Sequence, residues 1–211
     1  MCYNITMNNW SKLASNESIA RTVQGLRANG ISPILVENGQ EAKEKVLELL
    51  PQGAEVMSMS SVTLDTIGIT KEIQESGKYD AVKNKLSKMD RKTQGLEMKR
   101  IGTAPEYTVG SVHAVTEDGK VLIASNTGSQ LPAYAYGASH VIWVVGIQKI
   151  VKNVDSGTRR IYEYVLPLES ERINKVFDTK SGSNVSKMLI INKEKTEGRL
   201  TLILVKEKLG F

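Results

Sequence analysis

The chain has 211 residues, of which 40% are hydrophobic and 5% aromatic; this is enough for one well-cored domain, excludes a disordered chain, and leaves aliphatic side chains to fill the core. Its formal net charge of +5, from 28 basic and 23 acidic side chains, favours solubility and anionic ligands without the concentrated charge of a dedicated nucleic-acid binder. One cysteine, Cys2, and two histidines, His113 and His140, exclude an internal disulfide, a four-thiolate iron–sulfur cluster and a cysteine-rich structural zinc site.

The first thirty residues hold no long apolar stretch, and no apolar run approaches the roughly 18 residues of a membrane span. The expectation is a cytoplasmic protein with no membrane partner. No internal repeat or linker-like tract divides the chain, so residues 1–211 are expected to form a single domain.

In chain order, residues 10–28 predict an amphipathic helix with Leu13, Ala20, Val23 and Leu26 near one face, stopped at Asn29-Gly30. Residues 31–36 are a short β-rich run. Asn38 then offers an N-cap with Glu41 three positions on, a capping-box pattern; Ala42, Val46, Leu49 and Leu50 form that helix's apolar stripe, and Pro51 ends it. Residues 55–59 predict a strand that runs into Ser58, Ser60, Ser61 and Thr63, with Leu64 and Ile67 at helical spacing behind them.

Residues 78–100 read as one helix, with Lys83, Lys85, Lys88, Arg91 and Lys92 on its solvated face. Few aromatics interleave with these charges, which argues against a nucleic-acid platform. Residues 111–125 predict two strands around Asp118-Gly119, a strong hairpin dipeptide. The apolar run HVIWVVG, residues 140–146, suits a strand buried on both faces of a parallel sheet. Residues 154–177 read as helix, kinked or split by Pro167. Residues 188–191 and 200–205 complete the sheet. Alternating helices and strands predict a three-layer α/β fold whose sheet is mixed, because of the hairpin, but mainly parallel.

Three segments hold candidate chemistry. Ser60, Ser61 and Thr63 sit at a strand-to-helix turn, where hydroxyls and free backbone N–H groups can hold a carboxylate or phosphate; ordinary N-capping would use the same residues. Asn126, Thr127, Gly128 and Ser129 follow an apolar strand and could form an anion nest or a plain turn. Glu117 could act as an acid, base or nucleophile, or simply be a solvated hairpin residue. Neither His113 nor His140 belongs to a visible nucleophile–base–orienter set, and no metal-ligand spacing is present.

Three stretches together, SSVTLDTIG (60–68), GSVHAVTEDGKVLIASNTGS (110–129) and HVIWVVGIQKIV (140–151), resemble the LUD domain family, which includes the LutC component of bacterial lactate-oxidation systems. The pattern's serine-rich turn is matched by Ser60, Ser61 and Thr63. Its glycine–acidic–glycine strand pair is matched by Gly110, Glu117 and Gly119, and its small polar turn by Thr127, Gly128 and Ser129. The position between Glu117 and Gly119, often hydroxylic in the family, is Asp118.

The resemblance implies the NagB/RpiA/CoA transferase-like fold, shared with ribose-5-phosphate isomerase, CoA transferases and 5-formyltetrahydrofolate cyclo-ligase. It also implies a component of lactate (2-hydroxy acid) utilisation that binds a small anionic metabolite, working beside iron–sulfur oxidoreductase subunits that carry any cluster. A CoA-transferase-like enzyme with Glu117 as nucleophile, a cyclo-ligase-like enzyme, and a non-catalytic metabolite-binding regulator are the alternatives. No cofactor is identified, and no iron–sulfur cluster or structural zinc is expected in this chain. The absence of an apolar surface stripe suggests a monomer or modest dimer. The two small polar turns are expected to face one cleft, with Glu117 near its edge.

Overall fold

A computed structural model describes residues 9–211. Cys2 lies outside the described residues. Ten strands and eight α-helices follow in order: α1 (Asn16–Ala28), β1 (Ser32–Val36), α2 (Gly39–Leu49), β2 (Glu55–Ser58), α3 (Val62–Thr66), α4 (Ile69–Glu75), β3 (Asp80–Ala81), α5 (Val82–Leu86), α6 (Arg91–Thr103), β4 (Tyr107–Gly110), β5 (Ala114–Thr116), β6 (Val121–Ser125), β7 (His140–Gly146), β8 (Ile150–Val151), α7 (Val154–Arg160), α8 (Leu166–Phe177), β9 (Lys187–Ile191) and β10 (Leu200–Val205).

The main sheet has six strands in the order β1-β10-β7-β4-β2-β3, and every pairing in it is parallel. The fold is therefore α/β with a parallel sheet at its centre, as the buried run at 140–146 predicts. The hairpin departs from expectation. It does not join this sheet but forms a second one, β8-β5-β6-β9, with β5/β6 and β6/β9 antiparallel and β5/β8 parallel. Residues 187–191 likewise leave the main sheet to pair with β6. The two strands pair with each other as a hairpin, and the resulting short ribbon covers the main sheet rather than extending it.

Strand alternation divides the core. Val141, Trp143 and Val145 of β7 pack with Leu200, Leu202 and Leu204 of β10 against α1 and the inner residues Val115, Val121 and Ile123 of the small sheet. Ile142, Val144, Ile203 and Val205 point the other way, onto Ala42 and Val46 of α2, Leu64 of α3 and Ile69 and Ile73 of α4. The outer face of the small sheet, through Ala114, Leu122 and Ala124, packs on Ile161 just beyond α7.

Local chemistry accounts for the helix ends. Ser15 Oγ accepts the Ser18 N–H at 3.2 Å, so α1 begins at Asn16 rather than near Trp10. Asn38 caps α2 by accepting the Glu41 N–H at 3.0 Å, while the Glu41 carboxylate accepts from the Glu37 N–H at 2.9 Å, a capping box displaced by one residue. Residues 154–177 are one helical run in which a π-helical turn, Ile161–Val165, joins α7 to α8. Pro167 lacks the N–H that would close the next turn onto Glu163, so the split falls just before it.

Residues 78–100 are not one helix. Asp80 and Ala81 extend to pair with Glu55 and Val56 at the edge of the main sheet, and Asp90 starts a new helix by accepting the Lys92 N–H at 2.9 Å. Among the described residues no helix is long and apolar enough to cross a membrane.

Candidate functional site

The parallel strands β2, β4, β7 and β10 are neighbours, so their carboxyl ends emerge along one edge of the sheet. The chain leaving each of them lines a single cleft of about 230 Å³: residues 59–63 after β2, 111–113 after β4, Lys149 after β7 and Phe211 after β10. The end of β6 closes another wall with Ser125, Asn126 and Thr127, and the helical run adds Ile161, Val165, Glu169 and Arg172. This is where open α/β sheets gather ligands, because the backbone there turns away from the ladder and frees polar groups.

Ser60, Ser61, Thr63, Asn126 and Thr127 all line this cleft. The two turns singled out in the sequence thus meet across one space. Ser61 makes no side-chain cap to α3, and the Ser60 hydroxyl accepts from the Lys83 amine at 3.2 Å, so neither hydroxyl is consumed by capping.

Gly128 and Ser129 do not line the cleft. The Gly128 N–H donates to Ser125 Oγ at 2.9 Å, and the Thr127 hydroxyl donates to Ser129 Oγ at 3.1 Å, so these two residues close the turn that carries Asn126 and Thr127. Gly128 has a φ of 86°, a conformation side-chain-bearing residues rarely adopt.

Glu117 does not line the cleft either. Its carboxylate accepts from the Ser18 hydroxyl at 2.6 Å and from the Arg21 guanidinium at 2.8 and 2.9 Å. Arg21, then Ser18, hold its carboxyl below its ordinary value. Together with the close approach of Gly25 to the hairpin turn at Asp118 and Gly119, this fastens α1 to the small sheet.

Lys149, which the sequence reading passed over, dominates the site. It is only 2% exposed, yet it lines the cleft. Its amine donates to Thr63 Oγ1 at 3.1 Å and Ser111 Oγ at 3.0 Å. Both hydroxyls spend their own protons elsewhere: Ser111 on the Val144 carbonyl at 2.7 Å, and Thr63 on the Leu209 carbonyl at 3.3 Å. Each therefore acts purely as an acceptor toward the lysine. Burial, and then the nearby Arg160 charge, push the amine down to about 7. Gly210 keeps this nest open, since a Cβ on it would come within 2.5 Å of Thr63 Oγ1.

Arg160 is a second buried cation. Its Nη1 donates to the His113 carbonyl at 2.6 Å, its guanidinium lies 5.2 Å from the Tyr164 ring centre, and Nε and Nη2 have no partner among the described residues. Among the described residues, no carboxylate forms an ion pair with Lys149 or Arg160, whereas Arg172, the other cation lining the cleft, is held by Glu169 at 2.7 Å.

His113 also lines the cleft. Its Nδ1 accepts the Ala124 N–H at 3.0 Å, which puts the ring proton on Nε2. Burial, then Lys149 and Arg160, push it down to about 3, so the ring is a neutral hydrogen-bond donor and not an acid. The signal for Lys149 was present: it is the only charged residue in the apolar run 141–151. His113 gave no signal, because its role depends on Ala124 across the small sheet.

An α/β protein with a cleft at the carboxyl edge of its parallel sheet, lined by hydroxyls, amides and an unpaired buried lysine, is the class these features define. The family model of the LUD domain matches residues 19–205, and the chain belongs to that family. A DUF162 family protein from Deinococcus radiodurans shares the fold, with a TM-score of 0.58 at 11% identity over 92% of this chain and 99% of that one. The eIF2B beta structure from Chaetomium thermophilum is a more distant match: TM-score 0.37, 12% identity, 56% of this chain and 44% of that one. No curated protein matches the sequence.

Proposed function

We propose that this LUD-domain chain is a single-domain component of lactate-type (2-hydroxy acid) utilisation that binds a small anionic metabolite in the cleft. The observation that carries this reading is Lys149: a buried cation with two hydroxyl acceptors and no carboxylate. Burying an ammonium costs free energy unless a counter-charge is supplied, and a ligand carboxylate or phosphate would supply it. Lys83, donating to the cleft-lining Ser60, adds positive charge beside that turn. Asn126 and the His113 Nε2–H offer neutral donors to the rest of the ligand. Iron–sulfur partner subunits belong to the same reading by the family resemblance, and a cytoplasmic setting by the sequence's apolar pattern.

Glu117 is assigned to holding α1, not to chemistry, because its oxygens are engaged by Arg21 and Ser18. The test is thermal shift against lactate, inorganic phosphate and an acyl-CoA. A ligand that binds only the native state raises its apparent stability. Stabilisation of the wild type that disappears in Lys149→Met is expected; no stabilisation by any of the three, or equal stabilisation of the variant, would remove the reading.

A further inference from the structure

We propose that Lys149 is a carbonyl-condensing amine, forming a Schiff base with a small 2-oxo acid bound in the cleft. This rests on the anion-site reading, since the ligand must enter as a small anion.

Donor counting is the first support. A neutral amine has two N–H groups and one lone pair. Thr63 and Ser111 are both pure acceptors toward Lys149, so they take two N–H groups and no more. Among the described residues, the third tetrahedral position of the nitrogen has no partner. In the neutral form that position is a lone pair, on a residue that lines the cleft. A lysine desolvated beside another cation is the usual setting of a nucleophilic amine, and the neighbouring Arg160 completes it; the downward push on the amine agrees.

Charge defines the substrate class. Condensation breaks the carbon–oxygen double bond, forms a carbon–nitrogen double bond, and releases the oxygen as water with the two amine protons. When the imine then takes a proton from solvent it becomes a buried cation. No carboxylate of the described residues pairs with Lys149. An iminium made from a simple aldehyde would be stranded, whereas a 2-oxo acid places its own carboxylate on the adjacent carbon. The cleft of about 230 Å³ also favours the short members of that class. No oxidant or reductant is consumed.

The test is reductive trapping. The full chain is incubated with pyruvate or glyoxylate and borohydride, its intact mass is measured, and the labelled peptide is mapped. One adduct per chain at Lys149 is expected, falling to background in Lys149→Arg and reduced by excess lactate, which has no carbonyl and competes for the same cleft. Mapping on the wild type keeps the test valid should the variant fold poorly. An absent adduct, or one spread evenly over exposed lysines, overturns the proposal. Stabilisation by lactate without any adduct would overturn the condensation and leave the anion site standing; neither stabilisation nor adduct would remove both.

Discussion

Two buried cations in this molecule are treated in opposite ways. Arg199, 7% exposed, has a partner at every nitrogen: its guanidinium donates to the Glu194 carboxylate at 2.6 Å and to the carbonyls of Ala133, Tyr134 and Ala138 at 3.0 to 3.1 Å. It ties the π-helical turn at Ala133–Gly137 to the start of β10. Lys149 is buried more deeply, has no carboxylate, and faces an open cleft. A cation whose every nitrogen has a partner supports structure; one whose partners stop short has a position left for a ligand.

The comparison breaks first at Arg199. Arg199→Met should remove a buried donor from Glu194 Oε2 and from three carbonyls at once, and denaturant unfolding should show a loss of about 3–5 kcal/mol. A loss under roughly 1 kcal/mol, the size of an exposed pair, would mean that the clamp is not structural.

Lys149→Met should go the other way. Removing an uncompensated buried amine, while Thr63 and Ser111 keep their own acceptors, is expected to leave stability unchanged or raise it by up to about 2 kcal/mol. Ligand stabilisation should be lost in the same variant. Unfolding comparable to that of Arg199→Met would mean the lysine is structural after all.

The pH profile sharpens the contrast. The Lys149 amine is depressed from about 10.5 unfolded to about 7 folded, so the unfolded chain binds the extra proton between those values. Its contribution to stability is full above the unfolded value and is lost as pH falls toward about 7. His113, depressed from 6.5 to about 3, adds a further loss as pH falls through that lower window. Lys149→Met should remove the upper slope and keep the lower one, as read by unfolding midpoints across pH.

The smallest effect is expected at Glu117. Arg21 is about half exposed, so solvent screens the pair, and Glu117→Gln should cost about 1 kcal/mol or less. Ligand stabilisation should be unchanged, because the carboxylate does not line the cleft. A loss of binding with the fold intact would return Glu117 to the site.

Much of this was legible in the sequence where the signal was local. The Asn38–Glu41 cap, the Asp118-Gly119 turn and the doubly buried run of β7 each depend on neighbours a few residues away. The shared cleft followed from a general property of parallel sheets, applied to the hydroxyl-rich ends of β2 and β6. Failures came where long-range pairing decides. Asp80 and Ala81 sit inside a helical pattern yet become a sheet edge because β2 offers them a ladder. The hairpin became a separate sheet because β8 and β9, not a main-sheet strand, pair with it. Lys149 takes its partners from 38 and 86 residues away, so only the closed fold reveals that a charge in an apolar run is a site and not an interruption.

The central claim, that Lys149 awaits a ligand's charge, is tested most directly by proton uptake on binding. An anion that pairs with the amine favours its charged form, so above neutral pH binding should draw a proton from solution. Titration calorimetry of the wild type with lactate or inorganic phosphate, in two buffers of different ionisation enthalpy, is predicted to show that uptake, and Lys149→Met neither uptake nor binding. Tight binding by the wild type with no buffer dependence, or undiminished binding by the variant, would contradict the account.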